Sequence, residues 1–68
     1  MKDIIVKLGE VIERMRESGK EEYVVLTEEE YEDLREYMLF NTLSYEDALK
    51  FQKSSGYAVN YNGLLVKL

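Results

Sequence analysis

The chain has 68 residues and contains neither cysteine nor histidine, which excludes disulfides, most zinc sites and catalysis by an imidazole base or a thiol nucleophile. Its formal net charge is −5, and its apolar and charged fractions, 46% and 34%, are those of a packed domain rather than a disordered segment. A chain this short forms one domain, residues 1–68, whose small core leaves little stability in reserve.

The first two predicted elements are a helix and a strand. Apolar residues recur at helical spacing from Ile4 to Met15, and residues 18–20 (Ser-Gly-Lys) end the pattern because glycine accepts the left-handed geometry that follows a helix. The β-branched residues at positions 4–6 leave open whether the first turn is helical or extended. Residues 23–26 (Tyr-Val-Val-Leu) are too short a run for a helix and predict a strand.

Two further helices are predicted, each with an N-terminal capping signal. Thr27 and Glu30 have the spacing of a capping box, in which each side chain bonds to the backbone amide of the other residue. Ser44 begins the third helix with Asp47 three residues later. Residues 41–42 (Asn-Thr) break the second helix and residues 54–56 (Ser-Ser-Gly) end the third. The predicted apolar contacts of the two helices are Tyr31, Leu34 and Met38 in the second and Ala48, Leu49 and Phe51 in the third.

The closing segment, residues 57–68, predicts a β-hairpin. Its two central residues, Asn62 and Gly63, tolerate the positive φ of a type I′ turn. A two-residue turn pairs Tyr61 with Leu64, and the same register continues through Ala58 with Lys67 to Tyr57 with Leu68. Alternate residues then share one apolar face, which we expect to lie against the helices: Tyr57, Val59, Tyr61, Leu64, Val66 and Leu68.

The acidity of the chain is concentrated in one segment. Between residues 21 and 40, Arg35 alone opposes eight acidic residues, a net charge of −7. Residues 1–20 (five basic against four acidic) and residues 41–68 (three against two) each sum to +1. Acidic residues in the first turn of the second helix complement its positive end, so the segment has a structural explanation that needs no ligand. Adjacent helical residues diverge around the axis, which makes a poor metal site, and we expect no metal or other cofactor.

The predicted fold class is α+β, with the order helix, strand, helix, helix, strand, strand and a C-terminal β-hairpin. Three stretches carry a resemblance to a known family: residues 24–27 (Val-Val-Leu-Thr), residues 43–48 (Leu-Ser-Tyr-Glu-Asp-Ala) and residues 56–59 (Gly-Tyr-Ala-Val). With them the chain resembles the winged helix-turn-helix superfamily, particularly the small single-domain members encoded by archaea, their viruses and plasmids. The interval from Thr27 to Ser44 is longer than the usual helix-turn-helix spacing, and the third helix is shorter.

The resemblance implies a DNA-binding regulator of transcription, in which the third helix enters the major groove and the hairpin acts as the wing. It implies that the residues in contact with double-stranded DNA are Tyr45, Lys50, Lys53, Asn60, Asn62 and Lys67. A homodimer through the first helix would double these basic sites. The acidic segment opposes DNA binding, because affinity comes largely from neutralising phosphates, and Glu46 and Asp47 stand at the front of the proposed reading helix.

The alternative is an acidic protein-interaction module: an adaptor, an accessory subunit, or a viral inhibitor that imitates nucleic acid toward a basic protein partner. Its predicted contacts are Glu28, Glu29, Glu32, Asp33, Glu36 and Tyr37. Tyrosine suits this role because it adds contact area at little cost in rotamer entropy, whereas the simplest interpretation of the charges is a solvated helix face. An enzyme is the least favoured class, since a small core leaves little room for a preorganised pocket.

We expect a soluble, cytoplasmic protein. The sequence has no apolar run long enough to span a bilayer, and its N-terminus lacks the pattern of a signal peptide.

Overall fold

The computed structural model describes residues 3–39 and 42–68. Its three helices and three strands follow one another in the predicted order, which confirms the α+β class. The elements are α1 (Asp3–Ser18), β1 (Tyr23–Val25), α2 (Glu28–Met38), α3 (Tyr45–Ser55), β2 (Val59–Tyr61) and β3 (Leu64–Lys67). Asn41, the first residue of the predicted break after the second helix, lies outside the described residues. The helix itself ends at Met38, and Leu39 follows it with a φ of 58°.

The α1 helix begins with a regular helical turn, which decides the question that the sequence left open. Ile4 and Ile5 are both buried in the core, and their burial outweighs the modest helix propensity of β-branched residues. The helix ends where predicted. Gly19 follows it with a φ of 71°, and the Gly19 N–H donates to the Met15 carbonyl at 2.8 Å.

The ends of α2 and α3 coincide with their capping residues. At the start of α2 the Thr27 hydroxyl accepts from the Glu30 amide at 3.1 Å, and the Thr27 amide donates to the Glu30 carboxylate at 3.0 Å, so the predicted capping box is confirmed. At the start of α3 the Ser44 hydroxyl accepts from the Asp47 amide at 3.3 Å. Gly56 ends α3 with a φ of 87°, a conformation that glycine adopts without a Cβ clash.

The three strands form one mixed sheet in the order β1-β3-β2. β2 and β3 are antiparallel, with Tyr61 opposite Leu64 and Val59 opposite Val66, which confirms the predicted register next to the turn. β1 lies on the other side of β3 and runs parallel to it. Because parallel neighbours need a long connection, the segment containing α2 and α3 links β1 to the hairpin.

The regular hairpin ladder ends earlier than predicted. Ala58 donates its amide to the Val66 carbonyl at 2.7 Å, although Val66 is already opposite Val59 in the ladder. Two successive residues therefore face one, as in a β-bulge, and the predicted pairing of Ala58 with Lys67 is wrong. The bulge turns Ala58 inward, where it is buried.

The core has two parts, a main cluster between α1 and the sheet and a smaller one where α2, α3 and the bulge meet. The main cluster contains Ile4, Ile5, Leu8, Val11, Leu26, Leu34, Leu64 and Val66. The smaller cluster contains Tyr31, Ala48 and Ala58.

The predicted inner face of the hairpin is largely confirmed. Leu64 and Val66 are fully buried, and Val59, Tyr61 and Leu68 pack against the main cluster from positions that are partly buried. Tyr57 departs from this pattern: its ring lies edge-on against Phe51 of α3, with 5.6 Å between ring centroids. Phe51 stays exposed, so α3 contacts the core mainly through Ala48.

None of the helices within residues 3–39 and 42–68 combines the length and apolar character needed to cross a lipid bilayer.

Candidate functional site

The exposed side of α2 is acidic along its whole length. Tyr31 and Leu34 point into the core, so the residues predicted to bind a partner protein lie toward solvent. We call this surface the acidic face of α2; Asp33 on it is half-buried, and Tyr37, at 53% exposure, is its aromatic member. The face consists of Glu28, Glu29, Glu32, Asp33, Glu36 and Tyr37. The fold therefore brings this predicted set together on one helix.

Arg35 is the only basic residue in the α2 sequence, and it bonds within the same helix. Its Nη1 donates to Glu32 Oε2 at 2.8 Å, one helical turn away. Both side chains are substantially exposed, so this ion pair contributes little to stability. The α2 sequence as a whole contains six acidic residues and one basic residue.

An open depression of about 250 Å³ lies at the C-terminal end of α2, lined by Glu32, Arg35, Glu36 and Leu39. Leu39 is exposed and gives the depression an apolar side, while two glutamates supply carboxylates. A lysine or arginine side chain has the matching combination of an aliphatic stem and a charged end. An open depression of this kind suits the docking of a side chain better than it suits catalysis, which needs an enclosed site.

Two other acidic residues between positions 21 and 40, Glu30 and Glu22, form ion pairs within the fold. The Thr27 amide, and after it the Lys7 ammonium at 3.2 Å, hold the pKa of Glu30 below its ordinary 4.5. Arg14 bonds to both carboxylate oxygens of Glu22 at 3.0 Å and lowers the pKa of Glu22. These two carboxylates are therefore bound within the fold, apart from the acidic face of α2.

The residues predicted to contact DNA are divided between α3 and the hairpin. On α3, Lys50 and Lys53 are exposed, and the acidic first turn of the same helix balances their charge. Tyr45 is half-buried, with its ring centroid 6.0 Å from that of Tyr31. Tyr45 is thus mainly a packing residue.

The three hairpin residues of the predicted DNA set have roles in the turn and the sheet. Asn60 accepts the Gly63 amide at 2.8 Å through Oδ1 and so closes the turn. Asn62 occupies the turn with a φ of 50°. Lys67 Nζ lies 4.2 Å from the centroid of the Tyr23 ring, a cation–π contact. No hydrogen bond or ion pair among the described residues joins these three to the lysines of α3.

A further surface, which is not among the predicted sites, lies on the side of the sheet away from the core. Tyr23 and Val25 of β1 are 59% and 58% exposed, while Val24 between them packs against the core. Their partners on β3 are Leu65 and Lys67, both half-buried. We call these two residues of β1, with Leu65 and Lys67, the outer sheet face. The alternation of side-chain direction along a strand predicts that Tyr23 and Val25 share one face. The sequence does not show which face of the sheet the helices cover.

The predicted homodimer through α1 has little exposed apolar surface to use. The apolar residues of α1 are mostly committed to the core, and Val6 is the exposed large apolar residue of this helix within the described part of the chain. This homodimer stays a prediction.

Among residues 3–39 and 42–68, no cluster of three or more acidic residues has an arrangement that could hold a metal ion. No protein-family model, curated protein or solved structure matches the chain. The resemblance to winged helix-turn-helix proteins therefore stays a prediction, and function is inferred from the surfaces of the molecule itself.

Proposed function

We propose that this protein acts by binding rather than by catalysis, and that the acidic face of α2 binds a basic protein partner. The observation that carries the proposal is the concentration of five acidic residues on one exposed helix face, with Arg35 as the one basic residue in the α2 sequence. A field of one sign over a connected surface raises the rate of encounter with a partner of opposite charge.

The distribution of residue types at the end of α2 supports a contact surface. Protein interfaces have an aromatic or apolar centre surrounded by a polar rim. Leu39 is an exposed apolar residue that lines the depression, and Glu32 and Glu36 are the carboxylates beside it, while Tyr37 is exposed elsewhere on the acidic face of α2. A partner side chain of lysine or arginine is expected to place its stem on the apolar part and its charge against the rim.

Binding of double-stranded DNA is the second candidate function, and the observation that favours it is the pair of lysines on α3. Lys50 and Lys53 are exposed three residues apart, and within the described residues neither is in an ion pair. The net charge of −5 and the adjacent acidic helix disfavour contact with phosphates. For these reasons we rank DNA below a basic protein.

The two functions are separated by charge reversal and copurification. The variant Glu32→Lys/Glu36→Lys reverses two carboxylates one helical turn apart on α2. Its matched control, Glu13→Lys/Glu17→Lys, makes the same change in overall charge on the exposed side of α1. Circular dichroism verifies that both variants fold.

Each tagged protein is then recovered from cells, and its bound material is analysed by nuclease digestion and mass spectrometry. We expect the wild type and the α1 variant to retain a lysine- and arginine-rich protein that salt releases, and the α2 variant to lose it. Equal retention by both variants would contradict the proposed role of the acidic face of α2. Recovery of duplex DNA without a basic protein would support the second candidate function instead.

A further inference from the structure

The free edge of β1 provides a second contact surface. In the order β1-β3-β2, β1 is paired on one side, and that side faces β3. The Leu26 amide donates to the Lys67 carbonyl at 2.8 Å. Because the N–H and C=O groups of successive residues alternate in direction along a strand, those of Val25 and Tyr23 point away from β3. A row of backbone donors and acceptors therefore lies along the edge.

The two edges of the sheet differ in how they are protected. Proteins usually protect an edge with a bulge, a charge or a proline, because an unpaired edge accepts a further strand. The β2 edge has the bulge at Ala58, at the end of the strand away from the Asn62–Gly63 turn. The β1 edge has no charged residue within the strand, and both of its exposed side chains, Tyr23 and Val25, are apolar or aromatic. Lys67 of the neighbouring strand is the basic residue of the outer sheet face.

Acidic residues stand at both ends of this edge. Glu21 is exposed two residues before Tyr23, a separation of about 7 Å in an extended chain. Glu28 and Glu29 are exposed in the first turn of α2, shortly after Val25. The edge is thus apolar in its middle, with Glu28 and Glu29 at one end and Glu21, preceded by the exposed Lys20, at the other.

We propose that an extended segment of the basic partner adds to β1 as a fourth strand. This inference rests on the proposed function and specifies how the partner binds: apolar side chains of the segment cover Tyr23 and Val25, and lysines or arginines at its ends meet Glu21 and Glu28. Main-chain hydrogen bonds supply affinity and the side chains supply specificity, as in other cases of strand addition. The acidic face of α2 continues from the same end of the strand.

A second copy of this chain is a poorer occupant of the edge than a basic segment. If two copies paired antiparallel about Val24, the end of the strand with Glu21 would lie beside the end with Glu28 and Glu29 of the other copy. Like charges in such positions destabilise strand pairing. Charge complementarity therefore favours the basic partner.

The test uses a synthetic peptide of alternating valine and threonine with lysines at both ends. Titration into the isotopically labelled protein is expected to shift the backbone amide resonances of Tyr23 and Val25 and to protect the Val25 amide from hydrogen exchange. The control peptide has the same sequence with N-methyl groups on the amides that face β1. Because it cannot donate those hydrogen bonds, we expect it to bind at least about tenfold more weakly.

Two variants test the site on the protein. Val25→Lys introduces a charge at the edge and is expected to lower affinity for the unmethylated peptide at least about tenfold. Val6→Lys makes the same substitution at an exposed valine of α1 and is expected to leave affinity unchanged. Circular dichroism checks that both variants are folded, and the methylated peptide tests the inference on the wild-type protein even if Val25→Lys unfolds.

Equal binding of the two peptides, or equal binding by the two variants, would overturn strand addition. The proposed function is judged separately by the Glu32 and Glu36 reversal, so the failure of one is distinguishable from the failure of the other. A dimer in light scattering that Val25→Lys dissociates, together with no peptide binding, would assign the edge to a second copy and also overturn the inference.

Discussion

Replacing Tyr31 by phenylalanine removes one oxygen atom from the smaller core cluster and is expected to destabilise the fold. The Tyr31 side chain is fully buried, and its hydroxyl donates to the Leu43 carbonyl at 2.6 Å. Leu43 belongs to the segment that leads into α3, and Tyr45 at the start of α3 packs against the same ring. The hydrogen bond therefore fixes the connection between α2 and α3.

The expected loss follows from the surroundings of the bond. A hydrogen bond of this kind contributes about 1 kcal/mol net, and an acceptor left buried without a partner adds about 1 kcal/mol or more. The bond is partly buried and Leu43 as a residue is 45% exposed, so we expect water to satisfy part of the hydrogen bonding that the Leu43 carbonyl loses. We therefore expect a loss of about 1 kcal/mol, which lowers the melting temperature of a domain of this size by about 4–8 °C.

Urea unfolding followed by circular dichroism measures the free energy of unfolding of the variant. The matched control is Tyr37→Phe, which removes the same atom from the same helix at a side chain that is 53% exposed. We expect the control to change the free energy of unfolding by less than about 0.5 kcal/mol. Equal losses in the two variants would refute the role assigned to the Tyr31 hydroxyl.

The Tyr31 variant also has an expected effect at alkaline pH. Burial raises the pKa of Tyr31 above its ordinary 10.0, although the nearby Arg35 charge opposes the rise. The folded state thus holds the proton more tightly than the unfolded chain. The contribution of the neutral Tyr31 side chain to stability is fully present below about pH 10 and is lost as the pH rises through the pKa of Tyr31 in the folded state. Tyr31→Phe is expected to lose less stability across this range, with a remaining decline from Tyr61, whose pKa burial also raises.

For four further substitutions, the direction of the effect on stability follows from the structure. Gly9→Ala is expected to raise the free energy of unfolding by about 0.5–1 kcal/mol, because Gly9 is helical with open space beside it. Gly56→Ala is expected to lower it by about 1 kcal/mol, because the φ of 87° is left-handed; urea midpoints that move in the same direction would contradict this pair. The lowered pKa of Glu30, caused first by the Thr27 amide, predicts stability that is present above about pH 4.5 and lost as the pH falls through the folded pKa. Glu30→Gln is expected to flatten this part of the acid unfolding curve, and an unaltered curve would count against the contribution of the carboxylate. Thr42 Oγ1 is buried with no hydrogen-bond partner in the described part of the chain, so Thr42→Val is expected to keep or raise the melting temperature; a clear decrease would show that the hydroxyl is paired.

Much of the fold was predictable because its signals act over a few residues. The Thr27–Glu30 capping box joins residues three apart, and it forms as expected. The turn at Asn62 and Gly63 depends on the positive φ of two neighbours, both of which are observed. Local backbone chemistry of this kind is present in the sequence itself, so the order of the elements and the register next to the turn could be derived before the structure.

The candidate sites were predictable in part. The acidic face of α2 could be identified from the sequence because helical spacing places its carboxylates away from Tyr31 and Leu34. The hydrogen bond of Asn60 within the turn and the contact of Lys67 with the Tyr23 ring could not be identified from the sequence. The first depends on the fold of the hairpin and the second on the position of β1. The sequence does not distinguish a solvent-exposed lysine from a lysine that contacts an aromatic ring.

By itself, the sequence determined the order of the helices and strands, the capping residues at the starts of α2 and α3, and that the acidity lies on α2. Only the tertiary structure decided that β1 runs parallel to β3 at an edge of the sheet and that Ala58 turns inward through a bulge. The physical reason is distance along the chain. Strand pairing between β1 and β3 joins residues some forty positions apart, such as Val24 and Val66, and its stability depends on how the helices between them pack. That packing leaves Tyr23 and Val25 exposed, and it creates the edge on which the partner segment is proposed to bind.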